Sequence, residues 1–480
     1  MNDGSILRVA INAPLSQLFD YRAPADAAPQ ALQPGCRVSV PFGRRRECGM
    51  IMELANDSDL PASKLKRAHA ALDQGPLLDE SDLWLVRFVS DYYQHPLGET
   101  IAAALPALLR QGKSLYPAVQ HVMLTPEGEY ALSEKLTGKA PRQTELLERL
   151  RDANGLTAPD LDVQMPGWKR LQNNLLDKGW IHIEDVTDAS GGPARRPATP
   201  QSGPSLNADQ ARAVQAVRDA SGFSVNLLDG VTGSGKTEVY LRLIAEALRQ
   251  DRQVLVLVPE IGLTPQLVAR LELRLGIAPL LMHSSLSDNV RLAAWRAARD
   301  GSASLILGTR SAVFVPLRRP GLIIVDEEHD SSFKQQEGLR YSARDLAVAR
   351  GKKLEIPVLL GSATPSLESL QRCREGNYQR LVLPVRAGKA VPPLMRLVDL
   401  ALHPVADGLS APVVAAMTRS LAAGGQVLVF LNRRGFAPTL ICQGCGAIAE
   451  CRRCDARMTV HAGSNRLQCH HCGAVRPLDT

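Results

Sequence analysis

The sequence predicts an α/β fold whose largest part is a parallel sheet with helices on both faces. Two observations carry this. From 205 to 400, fully apolar runs (FSVNLLDG, QVLVLVPE, SLILGT, GLIIVDEE, PVLLGSAT) alternate with helical stretches, and strands that are apolar on both sides need cover on both faces. Within that stretch, Gly230-Val231-Thr232-Gly233-Ser234-Gly235-Lys236-Thr237 stands between the strand run FSVNLLDG and the helical run EVYLRLIAEAL, which is the context a phosphate-binding loop requires.

The flanking segments predict smaller modules. Residues 1–110 begin β-rich, with short runs such as ILRVAI and CRVSVPF broken by Pro and Gly, and turn helical at SDLWLVRFVSDYY and IAAALPALLR. Residues 111–186 contain PRQTELLERLRDA, GLTAPDL, GWKRLQNNLLDKG and then WIHIED. Helix, helix, helix, strand is the order of a winged helix. Residues 187–204, rich in Pro, Gly and Ser, read as a linker before the α/β stretch at 205–400. Residues 401–440 hold one run, QVLVFLN, that reads as a core strand, and 441–480 are rich in cysteine.

The composition narrows the function classes. The chain has 480 residues, 45% of them hydrophobic, and a net charge of +7. The charge suits a polyanionic partner such as nucleic acid, without specifying one. The first twenty residues lack a basic segment followed by an apolar run, and no stretch reaches the roughly 18 apolar residues of a membrane span. A soluble, cytoplasmic protein is the expectation. Of nine cysteines, Cys36, Cys48 and Cys373 are scattered and read as buried thiols, while six lie between Cys442 and Cys472.

The candidate chemistry is nucleotide hydrolysis. Glycines in the loop let backbone N–H groups wrap phosphates, and the helix N-terminus behind them adds partial positive charge. Lys236 would reach the β- and γ-phosphates of ATP, and the Thr237 hydroxyl would hold Mg²⁺. Asp326-Glu327-Glu328-His329 follows the apolar run GLIIV. Asp326 would bind Mg²⁺, and Glu327 is the natural base for an attacking water.

Cys442-x₂-Cys445, Cys451-x₂-Cys454 and Cys469-x₂-Cys472 are three paired-thiolate units. Such pairs suit tetrahedral Zn²⁺, two pairs closing one site. A thioredoxin-like redox couple would need a βαβ context that is absent. His461, His470 and His471 could substitute as ligands, although solvated side chains fit them better.

Several runs occur in order: DGVTGSGKTEVY, PEIGLTPQ, HSSLS, GTRSAVF, DEEHDSSFKQQEGLRYSARD, GSATPS and FLNRRGFAP, with LFDY and VPFGRR near the start. Together they resemble the superfamily 2 helicase motifs in the version found in the primosomal protein N′ (PriA) family. The resemblance implies a RecA-like motor lobe and an ATP-dependent 3′→5′ DNA helicase of replication restart. Its implied partners are branched forks, single-stranded DNA, nascent 3′ ends, primosomal proteins and single-stranded-DNA-binding protein. It implies that Gln210 contacts adenine, that Thr309 and Arg310 grip a DNA strand, and that Ser362, Ala363 and Thr364 couple hydrolysis to movement. Phe333, Arg340 and Tyr341 would lie in an aromatic-rich loop that senses single-stranded DNA. Aromatics mixed with cations suit base stacking, although a surface loop with two packed rings fits the same residues. Phe19, Asp20, Gly43 and Lys66 would form a pocket for the 3′ end of a strand. Arg44, Arg45 and Arg46 could neutralise phosphates or form a solvated turn.

The family pattern has four cysteine pairs and two zinc ions. On it, Cys451, Cys454, Cys469 and Cys472 complete one site, while Cys442 and Cys445 await a pair beyond Thr480. The family's last two helicase motifs and most of its second lobe are likewise not present, so the chain reads as a C-terminally truncated member. Two functions follow: a fork-remodelling helicase, or a fork-binding module that holds nucleotide weakly without turnover.

Overall fold

A computed structural model describes the chain except for residues 1–5, 135–139, 188–200, 221, 260–261, 388–393, 407, 431–439, 443–444, 454–456, 462–465, 470–472 and 479–480. It divides into two units, Met1–Ala390 and Val391–Thr480.

The first unit opens with an antiparallel sheet of order β2-β1-β4-β3-β5, made from β1 (Ile6–Ile11), β2 (Phe19–Arg22), β3 (Arg37–Phe42), β4 (Arg45–Ala55) and β5 (Ala70–Ala71). Strands β3 and β4 form a hairpin in which Phe42 faces Arg45. The turn needs a left-handed residue, which Gly43 supplies at φ +59°. Side chains alternate across a strand, so the sheet has two apolar faces. Leu7, Val9, Val38, Val40 and Ile51 build one local core. Ala10, Met50 and Met52 on the other face pack with α1 (Glu80–Tyr93), α2 (Leu97–Ala104) and α3 (Ala107–Arg110). Asp79 starts α1 by accepting from the Asp82 N–H. The cluster continues into Trp295, Phe314 and Leu346. The N-terminal module and the motor stretch therefore share one core.

Residues from 118 to 187 form a separate small body with its own core around Leu146, Leu150 and Trp168. Its elements are β6 (Ala118–Leu124), α4 (Pro126–Ser133), α5 (Pro141–Asp152), β7 (Leu156–Thr157), α6 (Ala158–Gln164), α7 (Lys169–Asp177) and β8 (Ile181–Thr187). The sheet order is β7-β6-β8. The run α5-β7-α6-α7-β8 contains the three helices and following strand expected from the sequence, with β6 and α4 in front that the sequence reading did not anticipate.

The motor stretch is a seven-stranded sheet of order β11-β12-β10-β13-β14-β9-β15, and its paired strands are parallel. In chain order its elements are α8 (Ala208–Asp219), β9 (Val225–Gly230), α9 (Lys236–Arg249), β10 (Gln253–Leu257), α10 (Pro265–Leu275), β11 (Leu280–Met282), α11 (Asp288–Asp300), β12 (Leu305–Gly308), β13 (Pro320–Asp326), α12 (Ala343–Leu354), β14 (Val358–Ser362), α13 (Leu367–Arg374) and β15 (Gln379–Leu383). Alternate residues of the central strands enter two cores: Leu255, Leu257, Ile323 and Val325 face one side, Val254, Val256, Leu322 and Ile324 the other. Strands β9 and β13 end at Gly230 and Asp326, and so deliver the phosphate loop and the acidic turn to the same edge of the sheet.

The second unit has a short hairpin of β16 (Val405–Ala406) and β17 (Leu409–Ser410), then α14 (Ala411–Ala422), then a sheet of β18 (Thr459–His461), β19 (Arg466–Gln468) and β20 (Val475–Pro477). The strand expected at QVLVFLN is corrected for its described part: residues 426–430 are not extended into a ladder, and Leu428 is 94% exposed. An apolar run becomes a strand only when a neighbour takes its backbone hydrogen bonds, and no described strand pairs with it. The remainder of FLNRRGFAP lies outside the described residues. Among the described residues, no helix is long and apolar enough to cross a membrane.

Candidate nucleotide site and DNA-binding surfaces

The phosphate loop turns between β9 and α9 through Gly233 (φ +79°) and Gly235 (φ +84°). Its first turn closes with Ser234 N–H donating to the Val231 carbonyl at 2.9 Å. Val231, Thr232 and Gly233 are exposed, and Lys236 and Thr237 are half-buried at the start of α9. The Ser234 hydroxyl is buried without a hydrogen-bond partner among the described residues. A side chain at Gly235 would meet the Gln210 amide nitrogen at 2.4 Å. The loop thus has the backbone freedom, the free N–H groups of a helix start and the unpaired hydroxyl that a bound phosphate would use.

Gln210 is buried and braces the loop. Its carbonyl accepts from Asn207 N–H at 3.0 Å, forming a capping box for α8, and its amide donates to the Ser234 carbonyl at 2.9 Å. It is therefore first a support of the phosphate loop.

Lys236 Nζ donates to the Gly230 carbonyl at 3.1 Å and lies 3.7 Å from Glu327 Oε1. Asp326 Oδ1 accepts from the Tyr240 hydroxyl at 2.8 Å and from the Glu327 N–H at 3.1 Å. Burial pushes the Asp326 carboxyl above the usual range, with the Tyr240 hydrogen bond opposing. Burial, and then the adjacent Asp326 charge, push Tyr240 well above its ordinary value. A divalent cation beside Asp326 would favour the carboxylate, and the Tyr240 bond brings Asp326 against α9, the helix that begins with Lys236 and Thr237. Sequence reading missed Tyr240. Its signal was its place three residues after Thr237, one turn inward on α9.

Glu327 has φ +47°, a left-handed conformation uncommon for Glu. His329 Nδ1 is 2.8 Å from Ser362 Oγ, and Nε2 is 3.4 Å from Thr364 Oγ1. The acidic turn and the Ser362-Ala363-Thr364 run are thereby joined.

The strand-gripping candidates sit at the end of β12. Thr309 is buried and borders a cavity of about 580 Å³ lined also by Leu263, Pro265, His283 and Ser284. Arg310 Nη1 donates to the carbonyls of Ser332 (2.8 Å) and Lys334 (3.3 Å). The expectation that Phe333 and Tyr341 offer their rings to bases is corrected. They are only 2% and 5% exposed, and Tyr341 packs edge-on against Phe314 at 5.0 Å. Rings of that size gain more from joining the core than from a surface loop. Arg340 alone of the three is exposed.

The N-terminal residues Phe19, Asp20, Gly43 and Lys66 come together around one cavity of about 630 Å³. Asp20 Oδ2 accepts from Ser58 Oγ at 2.6 Å, and Oδ1 lies 3.8 Å from Arg8 Nε. Phe19 and Phe42 meet edge to face at 5.2 Å. Arg8, Phe42 and Lys64 also line the cavity. Only the β1–β2 register, which sets Arg8 opposite Asp20, reveals the first of these. Arg44, Arg45 and Arg46 are exposed at the β3–β4 hairpin.

In the cysteine module, the described residues of CQGCGA (442–447) and CHHCGA (469–474) make the same two backbone hydrogen bonds. Cys442 N–H donates to Ala447 O (2.8 Å) and Gly446 N–H to Cys442 O (2.9 Å). Cys469 N–H likewise donates to Ala474 O (2.8 Å) and Gly473 N–H to Cys469 O (2.9 Å). Gly446 and Gly473 take φ +72° and +74°. Arg453 N–H points at Cys451 Sγ at 3.4 Å. An N–H aimed at the Cys451 sulfur fits a thiolate there. Cys454 and Cys472 lie outside the described residues. Cys445 is exposed, and Cys451 and Cys469 belong to the module's small core.

Comparisons with known proteins follow the same layout. The family described as "3'DNA-binding domain (3'BD)" matches residues 8–106. "DEAD/DEAH box helicase" matches 207–373, and "PriA DNA helicase Cys-rich region (CRR) domain" matches 451–477. The replication restart protein PriA of Haemophilus influenzae is 42% identical over 479 residues, covering 98% of this chain and 64% of its own length. That of Bacillus subtilis is 31% identical over 549 residues, covering 100% and 68%. The chain belongs to the PriA replication-restart family. It spans about two thirds of the length of these two PriA relatives. The PriA cysteine-region match includes Cys451, Cys454, Cys469 and Cys472 and begins after Cys442 and Cys445.

Proposed function

We propose that this PriA-family chain is an ATP-dependent 3′→5′ DNA helicase that recognises stalled forks and initiates primosome assembly in the cytoplasm. The observation that carries the reading is the joining of three parts at one sheet edge. Lys236 and Glu327 approach to 3.7 Å across the nucleotide cleft, Asp326 lies beside them, and His329 links the acidic turn to Ser362 on the neighbouring strand. Lys236 neutralises the β- and γ-phosphates, and Thr237 and Asp326 hold Mg²⁺, which supplies charge stabilisation for phosphoryl transfer. Glu327 accepts the proton of the attacking water. Gln210 contacts adenine while bracing the loop. Thr309, Arg310 and Arg340 hold single-stranded DNA, with Phe333 and Tyr341 shaping the loop from within. Primosomal proteins and single-stranded-DNA-binding protein are the partners this reading implies.

Fork DNA should stimulate ATP hydrolysis by the 480-residue chain, with Lys236→Ala as the blank. Hydrolysis that ignores DNA, or that persists in the Lys236 variant, would overturn the reading.

The N-terminal cavity is proposed to take the 3′ end of a nascent strand. Phe19 stacks on the terminal base, Asp20 accepts from the 3′-hydroxyl, Gly43 keeps the rim open, and Lys66 faces phosphate. A fork ending in a 3′-hydroxyl should bind more tightly than one ending in a 3′-phosphate at equal salt, and Asp20→Ala should remove the difference. Equal affinity of the parent chain for both forks would count against the pocket.

Cys451, Cys454, Cys469 and Cys472 are proposed to hold one Zn²⁺ tightly. Metal analysis after mild chelation should find one zinc per chain, and Cys469→Ser should release it. Two retained ions would bring Cys442 and Cys445 into a second site, and none would contradict the proposal.

A further inference from the structure

Glu328, between the proposed base and His329, has a side chain completely shielded from solvent. Its carboxylate accepts from four donors: Ser366 N–H at 2.7 Å, Ser366 Oγ at 3.0 Å, Ser369 Oγ at 2.9 Å and Arg344 Nη1 at 3.2 Å. Ser366 caps α13, so Glu328 fastens the acidic turn to the start of that helix. A carboxylate so deeply buried is costly unless its oxygens are met by donors. Here they are met on two sides.

The two elements that meet it have different neighbours. Ser366 follows the Ser362-Ala363-Thr364 run that faces His329. Arg344 opens α12, just past Tyr341, at the exit of the loop whose carbonyls Arg310 holds. Arg344 Nη1 also donates to Ser366 Oγ at 2.8 Å, which closes the triangle. Glu327 meanwhile sits in its left-handed conformation, and such a conformation persists only where the surroundings fix it. Backbone bonds from Glu328 N–H to Gly361 O (3.0 Å) and from Asp330 N–H to Glu327 O (2.8 Å) hold the turn from the main chain. The Glu328 carboxylate holds it from the side chain.

We propose that Glu328 is a positioning residue for ATP hydrolysis. It fixes the Glu327 turn and ties it through Arg344 and Ser366 to the starts of α12 and α13. The inference rests on the ATPase reading above.

The test uses the whole chain with Glu328→Gln, which keeps the volume but weakens the acceptor set, and Arg344→Ala. Glu328→Gln should lower kcat for fork-stimulated hydrolysis about 10-fold while KM for ATP stays within about twofold. Arg344→Ala, which removes one of the four donors, should lower kcat in the same direction by a smaller factor, with KM for ATP again within about twofold. Amide exchange supplies an independent readout: in Glu328→Gln the amides of residue 328 and Asp330 should exchange faster than in the parent, with Val325 unchanged. Parent-like kcat and stimulation in both variants, or equal losses in kcat, ATP affinity and thermal midpoint, would overturn the proposal. If the parent itself hydrolyses no ATP, the ATPase reading fails, and exchange alone judges the anchor: unchanged protection at residue 328 and Asp330 would sink it.

Discussion

Replacing Glu327 by Gln is expected to lower DNA-stimulated ATP hydrolysis by about 10²–10⁴ while nucleotide binding survives. The side chain lies 3.7 Å from Lys236 Nζ, on the turn that follows Asp326. A carboxylate there can take a proton from water as the bond to the γ-phosphate forms. An amide of the same shape cannot. The groups that would hold the phosphates and Mg²⁺, namely Lys236, Thr237 and Asp326, are untouched by the change, so binding of a fluorescent ATP analogue should persist. Turnover within about twofold of the parent would remove Glu327 from the role of base. Lost nucleotide binding would mean that the 3.7 Å pair with Lys236 shapes the cleft before any chemistry.

The second large effect concerns stability. Arg350→Ala is expected to destabilise the first unit by about 3–5 kcal/mol, because it leaves a buried acid without its counter-ion. Arg350 Nη1 donates to the Val313 carbonyl at 2.7 Å, and Nη2 lies 3.6 Å from Asp82 Oδ1, with both side chains almost fully buried. Asp82 comes from α1 of the N-terminal module and Arg350 from α12 of the motor, so the pair sits in their shared core. Burial pushes the Asp82 carboxyl up to about 7, against the pull of Arg350. Without the guanidinium the acid form is favoured further. A carboxyl whose folded-state value is raised contributes stability at low pH and loses it as pH rises through that value. The loss in Arg350→Ala should therefore be larger at about pH 8 than at about pH 5.5. Denaturant midpoints that match the parent at both pH values would show that this pair does not hold the two modules together.

Both predictions stand on residues with different legibility. The placement of Lys236 and Thr237 at the start of α9, and of Asp326 and Glu327 at the end of β13, was legible in the sequence, because a strand-to-helix glycine loop and an acidic turn are local: spacing and a preceding apolar strand suffice. The alternation of apolar runs with helices gave the parallel sheet for the same reason, since strands buried on both faces leave a continuous apolar signature. The three cysteine pairs, and the turn sequence CxxCGA that occurs twice, are also local.

What only the tertiary structure decided are contacts between residues far apart in the chain. Phe333 and Tyr341 looked like rings for DNA, yet they are core residues, because the neighbour that covers Tyr341 is Phe314 on a different segment. QVLVFLN looked like a core strand, but an apolar run cannot supply its own ladder partner. Arg8 faces Asp20 through strand register, Tyr240 reaches Asp326 across 86 residues, and Glu328 meets Ser366 and Ser369 across about forty. Arg350 likewise finds Asp82 only where the two modules share one core. Sequence patterns record what each segment does with its own backbone and with water. Which buried polar group meets which partner depends on where the packed elements finally lie, and that is set by the whole chain at once.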